Sequence, residues 1–178
     1  GSGPDADRIP GIDTKVDDGD EFLFGNHSVK VFDVSGHTIG HIAYHFADSD
    51  ILFSGDALFS LGCGRLFEGT PAQMWQSLSK LIKLPDSTIV YCAHEYTQAN
   101  AAFALSVEPE NEALQTRSKE IDELRASGKP TVPSLLGLEK ATNPFLRPTS
   151  PDLQRNLGLQ GADLTEVFAE TRRRKDNF

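Results

Sequence analysis

The chain has 178 residues, 38% of them hydrophobic and 24% charged, with 17 Lys and Arg against 26 Asp and Glu for a formal net charge of -9. This balance fits a folded globular protein rather than a disordered one, and the acidity argues against general nucleic-acid binding. No run approaches the roughly 18 apolar residues that a membrane-spanning helix needs. Only two cysteines are present, Cys63 and Cys92, too few for a disulfide scaffold and more consistent with a reducing compartment.

Residues 1–27 are rich in Pro, Gly and Asp and predict turns with short extended pieces. Residues 28–34, 41–46 and 51–54 predict strands, separated by turn signals at 36–40 and 48–50. Thr70 then opens a helix: its hydroxyl can cap, Pro71 suits the first helical position, and Gln73 completes a capping-box pattern. Met74, Trp75, Leu78, Leu81 and Ile82 share one face of it, which should dock on a sheet. Pro85 and Asp86 end the helix, and residues 88–92 predict a further strand.

Beyond residue 97 the texture becomes helical, with helices predicted over 97–105, 111–127, 134–140, 151–157 and 165–174. Gly128 reads as a C-cap with Pro130 beyond it, and Leu114, Arg117, Ile121 and Leu124 form a contact stripe to which Arg117 gives its stem. The expected architecture is α+β, with a sheet-containing part over 1–96 and a helical part over 97–178.

Three residues with metal-binding side chains each follow a β-rich apolar run: His37 in VFDVSGHTIGH, Asp56 in ILFSGDALFS and His94 in TIVYCAHEY. Strand ends on a rigid sheet are places where distant residues can converge. Imidazole suits zinc or iron, and a carboxylate can join two cations through its two oxygens. The bland reading of Asp56 is a turn residue after Gly55. His41 lies four residues beyond His37, but Gly36, Gly40 and β-branched Thr38 and Ile39 favour a loop, so a hydrogen-bonding role fits it better than ligation. His94 ends an apolar strand, where a neutral imidazole is easier to accommodate than a charged one. His27 and His45 read as surface or strand-face residues, Glu95 as structural, Cys92 as core, and Cys63 as a small loop residue beside the site.

GHTIGHI, FSGDALFSLGCGRLFEGTP, CAHEYTQANAAFA and the ending RRRKDNF occur in this order. Together they resemble hydroxyacylglutathione hydrolase (glyoxalase II), a family of the metallo-β-lactamase fold. The resemblance runs from about Arg8 to the last residue. It implies the C-terminal part of an αββα sandwich followed by a small helical domain that binds the glutathione substrate. The family's His-X-His-X-Asp-His motif is absent: no two of His27, His37, His41, His45 and His94 are separated by a single residue.

The resemblance further implies two divalent metal ions, zinc by default with iron or manganese admissible, held in part by His37, Asp56 and His94. No catalytic residue is implied beyond the ligands. It assigns substrate contacts to Arg65, Phe67, Tyr96, Arg172 and Lys175; Phe67 stands where some members carry tyrosine, a departure that removes one hydroxyl. Arg172 and Lys175 are three apart and adjacent on a helical face. The plain alternative for that basic run is a solvated helix end favoured by the helix dipole.

The expected activity is hydrolysis of S-(2-hydroxyacyl)glutathione thioesters, such as S-lactoylglutathione, by a metal-activated hydroxide. Two other readings stand beside it. One is a glutathione persulfide dioxygenase of the same fold. The other is a non-catalytic fragment that needs an N-terminal segment or self-associates, since three matched ligands should leave the chain alone with little activity. No nucleic-acid or membrane partner is expected, and the resemblance extends to bacterial cytoplasmic and mitochondrial matrix enzymes alike.

Overall fold

The computed structural model describes residues 1–178. Its centre is a six-stranded mixed sheet in the order β1-β2-β3-β4-β7-β8, formed by β1 (Glu21–Phe24), β2 (His27–Asp33), β3 (Ile42–Phe46), β4 (Ile51–Gly55), β7 (Ile89–Cys92) and β8 (Ser134–Leu135). A small hairpin, β5 (Leu58–Phe59) with β6 (Gly62–Cys63), stands apart from it. Strands β1 to β4 run antiparallel to their neighbours, whereas β4 and β7 are parallel. A parallel pair needs a crossover, and α1 (Pro71–Leu81) lies within it.

The helix begins where its sequence directs. Gln73 N–H donates to Thr70 Oγ1 at 3.3 Å and Thr70 N–H donates to Gln73 Oε1 at 2.8 Å, completing the capping box ahead of Pro71. It ends a turn before Pro85, with Ile82 as its C-cap. The helical part comprises α2 (Thr97–Val107), α3 (Glu112–Ala126), α4 (Leu136–Thr142), α5 (Pro151–Leu157) and α6 (Leu164–Asp176). The helix expected from residue 134 starts later, because Ser134 and Leu135 pair with Val90 and Ile89 as a sheet edge first. Strand β1 lies in the stretch read only as turns and short extended pieces.

Alternation along the strands sorts the two sheet faces. Ala43, Leu52 and Val90 point to the helices and join Met74, Leu78 and Leu81 of α1 with Phe103, Phe145, Leu153, Val167 and Phe168 in one core. Trp75 stacks on Phe168 with ring centroids 6.1 Å apart. The core therefore crosses residue 97 without a break, and the change of texture there is not a division in packing. The opposite face is an aromatic surface on which Phe22, Phe24, Phe53 and Tyr91 are exposed, with Phe22 against Tyr44, Phe24 against Phe46, and Phe53 stacked on Tyr91.

Two side chains differ from their sequence-based readings. Arg117 contributes its guanidinium as well as its stem: it is 4% exposed and paired with fully buried Glu139. Cys92 is only partly buried, because β7 ends there and its thiol lies beside the His94 carbonyl. No helix is long and apolar enough to cross a membrane.

Candidate functional site

Because β3 is antiparallel to both its neighbours, β2 and β4 run the same way, and β7 runs with β4. The C-terminal ends of β2, β4 and β7 thus meet at one end of the sheet, and His37, Asp56 and His94 all follow those ends. A register shift between Phe53 and Gly55 bulges β4 just before Asp56, and such bulges re-aim the residues beyond them. Gly55 takes a φ of +54° there, and a Cβ would lie 2.5 Å from His41 Nε2. Only glycine serves this turn comfortably.

The three predicted ligands converge. His37 Nε2 lies 3.9 Å from Asp56 Oδ2, and His94 Nε2 lies 3.2 Å from Asp56 Oδ1. Each imidazole addresses its own oxygen of one carboxylate. A cation held tetrahedrally by nitrogen and oxygen at ~2.1 Å separates those donors by ~3.4 Å, a spacing that falls between the two observed here. The donor set therefore fits divalent-cation binding by His37, Asp56 and His94. No three His, Cys, Asp or Glu side chains close on a single point as a finished cage, so the fit is to part of a centre.

The surroundings orient these donors. His37 Nδ1 lies 2.8 Å from the Arg65 carbonyl, which can only accept, so the proton sits on Nδ1 and Nε2 presents its lone pair toward Asp56. A second hydrogen bond of this kind fixes the tautomer of a ligating histidine. His41 is not aimed at Asp56's carboxylate; its Nε2 accepts from the Asp56 N–H at 2.8 Å. Burial is the main influence lowering the His41 pKa, in keeping with a neutral, accepting ring. His94 is less sheltered than expected: its side chain is 48% exposed, so desolvation does not explain its choice at this position. Tyr96 stacks on it instead, centroids 4.9 Å apart and nearly parallel.

All five predicted substrate residues line the same cavity of about 470 Å³ as the three ligands. Phe67 packs its ring 4.9 Å from that of His37. Arg172 is 5% exposed, which rules out a merely solvated helix end. It donates to the Cys63 carbonyl at 2.9 Å, pairs with Asp176 at 2.8 Å and lies over the Phe145 ring. Lys175 Nζ sits over Phe103 and Phe178 and donates to the Ala99 carbonyl; burial, then Arg172 and Arg65, lower its pKa. Arg65 Nε lies 3.7 Å from Asp176. Arg173 and Arg174, within the same basic run, turn to Glu170 instead.

Four participants were not predicted for the site: Phe59 and Asn100 in the cavity wall, Asp176 among the cations, and Glu68. Asn100 was within reach of sequence reasoning, since it follows Tyr96 by one helical turn. Glu68 accepts from Arg8 at 2.6 and 3.0 Å and from Ile39 N–H at 2.8 Å; Arg8 first, then Ile39 N–H, hold its pKa down to about 2. Cys63 lies in the wall as read, and burial pushes its thiol up to about 11, which makes it a poor nucleophile. Glu95 accepts from Thr131 N–H at 2.8 Å, a structural contact. His27 is exposed beside Asp48 and His45 is on the buried strand face.

The sheet, its helical cover and this pocket define a metallo-β-lactamase-type protein. Residues 2–94 match the metallo-beta-lactamase superfamily, and residues 95–178 match the hydroxyacylglutathione hydrolase C-terminus. The fold is shared with ETHE1 from Myxococcus xanthus, at a TM-score of 0.60 and 24% identity over 93% of this chain and 53% of that one. Among curated proteins, the hydroxyacylglutathione hydrolases of Ruegeria pomeroyi and Methylococcus capsulatus are 61% and 57% identical over all 178 residues. The chain spans 70% of the length of each. It belongs to the hydroxyacylglutathione hydrolase family.

Proposed function

We propose that this site hydrolyses S-(2-hydroxyacyl)glutathione thioesters, such as S-lactoylglutathione, to glutathione and a 2-hydroxy acid. The observation that carries this reading is one cavity with two chemistries: two imidazoles on separate oxygens of Asp56, and Arg65, Arg172 and Lys175 in the same wall lining. Glutathione thioesters need both, a hydrolytic centre at the acyl carbon and fixed positive charge for carboxylates.

In this reading His37, Asp56 and His94 hold divalent cations; zinc is proposed, and the same donors also accept iron or manganese. Bound there, such ions supply hydroxide from water near neutral pH and polarise a carbonyl. The chain's own residues position the substrate. Residues 1–96 furnish the hydrolytic end together with Arg65, Phe67 and Tyr96, and residues 97–178 furnish Asn100, Arg172 and Lys175 of the glutathione-binding wall. Arg172 and Lys175 receive a carboxylate of glutathione, Arg65 adds charge at the rim, and Tyr96 braces His94 while offering its hydroxyl. The rings of Phe59 and Phe67 limit water at the acyl group. With three donors on this chain, metal binding is expected to be weak and turnover correspondingly small.

Titration calorimetry with zinc and with S-methylglutathione, a non-hydrolysable thioether, tests the binding halves, and loss of S-lactoylglutathione absorbance tests turnover. Both ligands should bind, and turnover should require zinc. Absence of S-methylglutathione binding would remove the substrate class. Oxygen consumption with glutathione persulfide, without thioester turnover, would replace hydrolase by dioxygenase.

A further inference from the structure

Residues 65–69 run from the β5–β6 hairpin to the cap of α1 and lie along the loop that carries His37. The Phe67 N–H donates to the His37 carbonyl at 3.2 Å and the Gly69 N–H to the Gly36 carbonyl at 3.1 Å. In return His37 Nδ1–H donates to the Arg65 carbonyl at 2.8 Å. The two segments touch closely enough that a Cβ on Gly69 would lie 2.6 Å from Gly36 Cα. The same short strap sends Arg65 and Phe67 into the cavity. One stretch of backbone thus orients a metal ligand while its side chains line the substrate wall.

On the far side of the ligand loop, Ser35 Oγ donates to the Ile39 carbonyl at 2.5 Å and Gly36 N–H to the Thr38 carbonyl at 3.1 Å, both bonds within the loop itself. Ile39 is 55% exposed, so packing does not fix it, and its N–H finds an acceptor only because Glu68 Oε2 reaches it at 2.8 Å. Both carboxylate oxygens of Glu68 are in turn held by the Arg8 guanidinium at 2.6 and 3.0 Å. Paired donors on one carboxylate restrict its orientation as well as its position. Of the hydrogen bonds named between loop and strap, this is the one made by a strap side chain; Phe67 adds only ring packing on His37.

We propose that Glu68 is a positioning residue whose bond to Ile39 N–H locks the His37 loop to the 65–69 strap, so that metal holding and recognition of glutathione depend on one contact. This rests on the function proposed above. It assigns Glu68 no chemical step, and it makes the loop and strap a single unit rather than two independently placed walls.

The test uses E68A in the 178-residue chain. Long-range ¹H–¹⁵N spectra at pH 8, without ligand, should show His37 protonated at Nδ1 in the wild type and a mixture of tautomers in E68A. Zinc and S-methylglutathione affinities should both fall, each about ten-fold or more, the scale seen when a partner of a ligating histidine is lost. R8M, which leaves the Ile39 bond intact, should lose less. A folded E68A with an unchanged tautomer and unchanged affinities overturns the proposal, and so does loss of one affinity alone. Should E68A fail to fold, E68D applies: one methylene shorter, it cannot span Ile39 and Arg8 together, and wild-type behaviour in it is equally fatal. If the wild type binds neither ligand, the functional reading fails, while the tautomer measurement still decides the positioning role.

Discussion

Arg172 Nη1 donates to the Cys63 carbonyl at 2.9 Å, joining residues 109 apart in sequence. The last helix is thereby tied to the β5–β6 hairpin that walls the cavity, and the guanidinium is fixed by Asp176 and the Phe145 ring before any ligand arrives. A preorganised cation gives up little side-chain freedom on binding. The two basic residues therefore should not behave alike.

Arg172→Ala removes a cation and leaves the Cys63 carbonyl without this donor, so binding and stability should both suffer. Loss of a charge-assisted hydrogen bond costs about 1.5–3 kcal/mol, roughly ten- to hundred-fold in S-methylglutathione affinity. Lys175→Ala should weaken binding while leaving the thermal midpoint nearly unchanged, since Lys175's one hydrogen bond in the fold is a 3.3 Å contact to Ala99. Where turnover is measured, KM should rise far more than kcat falls in either variant. Equal midpoints for the two variants would contradict the structural half of this expectation.

Burial of Arg117 and Glu139 sets up a second contrast. Glu139 accepts from Leu61 N–H at 2.8 Å, from Ser134 and Asn143, and from Arg117; Arg117 also donates to Ser60 and Thr142. The pair fastens the β5–β6 turn to α3 and α4. Glu139→Ala strands a buried guanidinium and should cost about 3–5 kcal/mol. Arg117→Met should cost less, because Glu139 keeps three other donors. A denaturant double-mutant cycle checks both; additive effects would show that the pair is not coupled.

Acid sensitivity follows from His45, which is 7% exposed with an Nε2 that has no hydrogen-bond partner. Burial lowers its pKa, nearby Lys30 adds to that, and Asp50 opposes it. A histidine whose folded pKa lies below its unfolded value of about 6.5 stabilises the fold above that pH, and the contribution is lost as pH falls through and below it. The thermal midpoint should accordingly drop between about pH 7 and 5. His45→Phe should flatten part of that slope and not all of it, because burial lowers the His41 pKa as well. An unaltered slope in His45→Phe would place the acid sensitivity elsewhere.

Much of this arrangement is legible in the sequence. The strand ends ahead of His37, Asp56 and His94 show as apolar runs that stop, and the Thr70 cap shows as a local motif. Both are short-range signals. What brings the three candidate ligands to one end of the sheet is strand direction, which depends on the antiparallel placement of β3 between β2 and β4 and is not written in any single segment. Arg117 was misread for a related reason: a charged residue on a helical contact stripe normally snorkels, and its partner Glu139 lies 22 residues away on another helix. Glu68 escapes sequence reading because its partners, the Ile39 N–H and the Arg8 guanidinium, leave no local pattern; Asp176 does leave one, since it follows Arg172 by four residues on a helix.

Gly64 offers the sharpest test of how closely the centre is packed. A Cβ there would lie 2.0 Å from the Asp56 carbonyl oxygen and 3.0 Å from His37 Nδ1. The first contact is with backbone and cannot be relieved by a rotamer change, so Asp56 itself must move; the second presses on the nitrogen that bonds to Arg65. Gly64→Ala should therefore reduce zinc affinity at least ten-fold, about 1.4 kcal/mol, through displaced ligands alone. Gly128→Ala is the matched control: its φ of +69° brings backbone strain of about 1–2 kcal/mol, but nothing lies within 4 Å of a Cβ there. The control should lower the thermal midpoint and leave zinc binding as it was. Zinc calorimetry on both variants separates the two effects, and a Gly64→Ala chain that binds zinc like the wild type would mean that Asp56 and His37 are not the residues holding it.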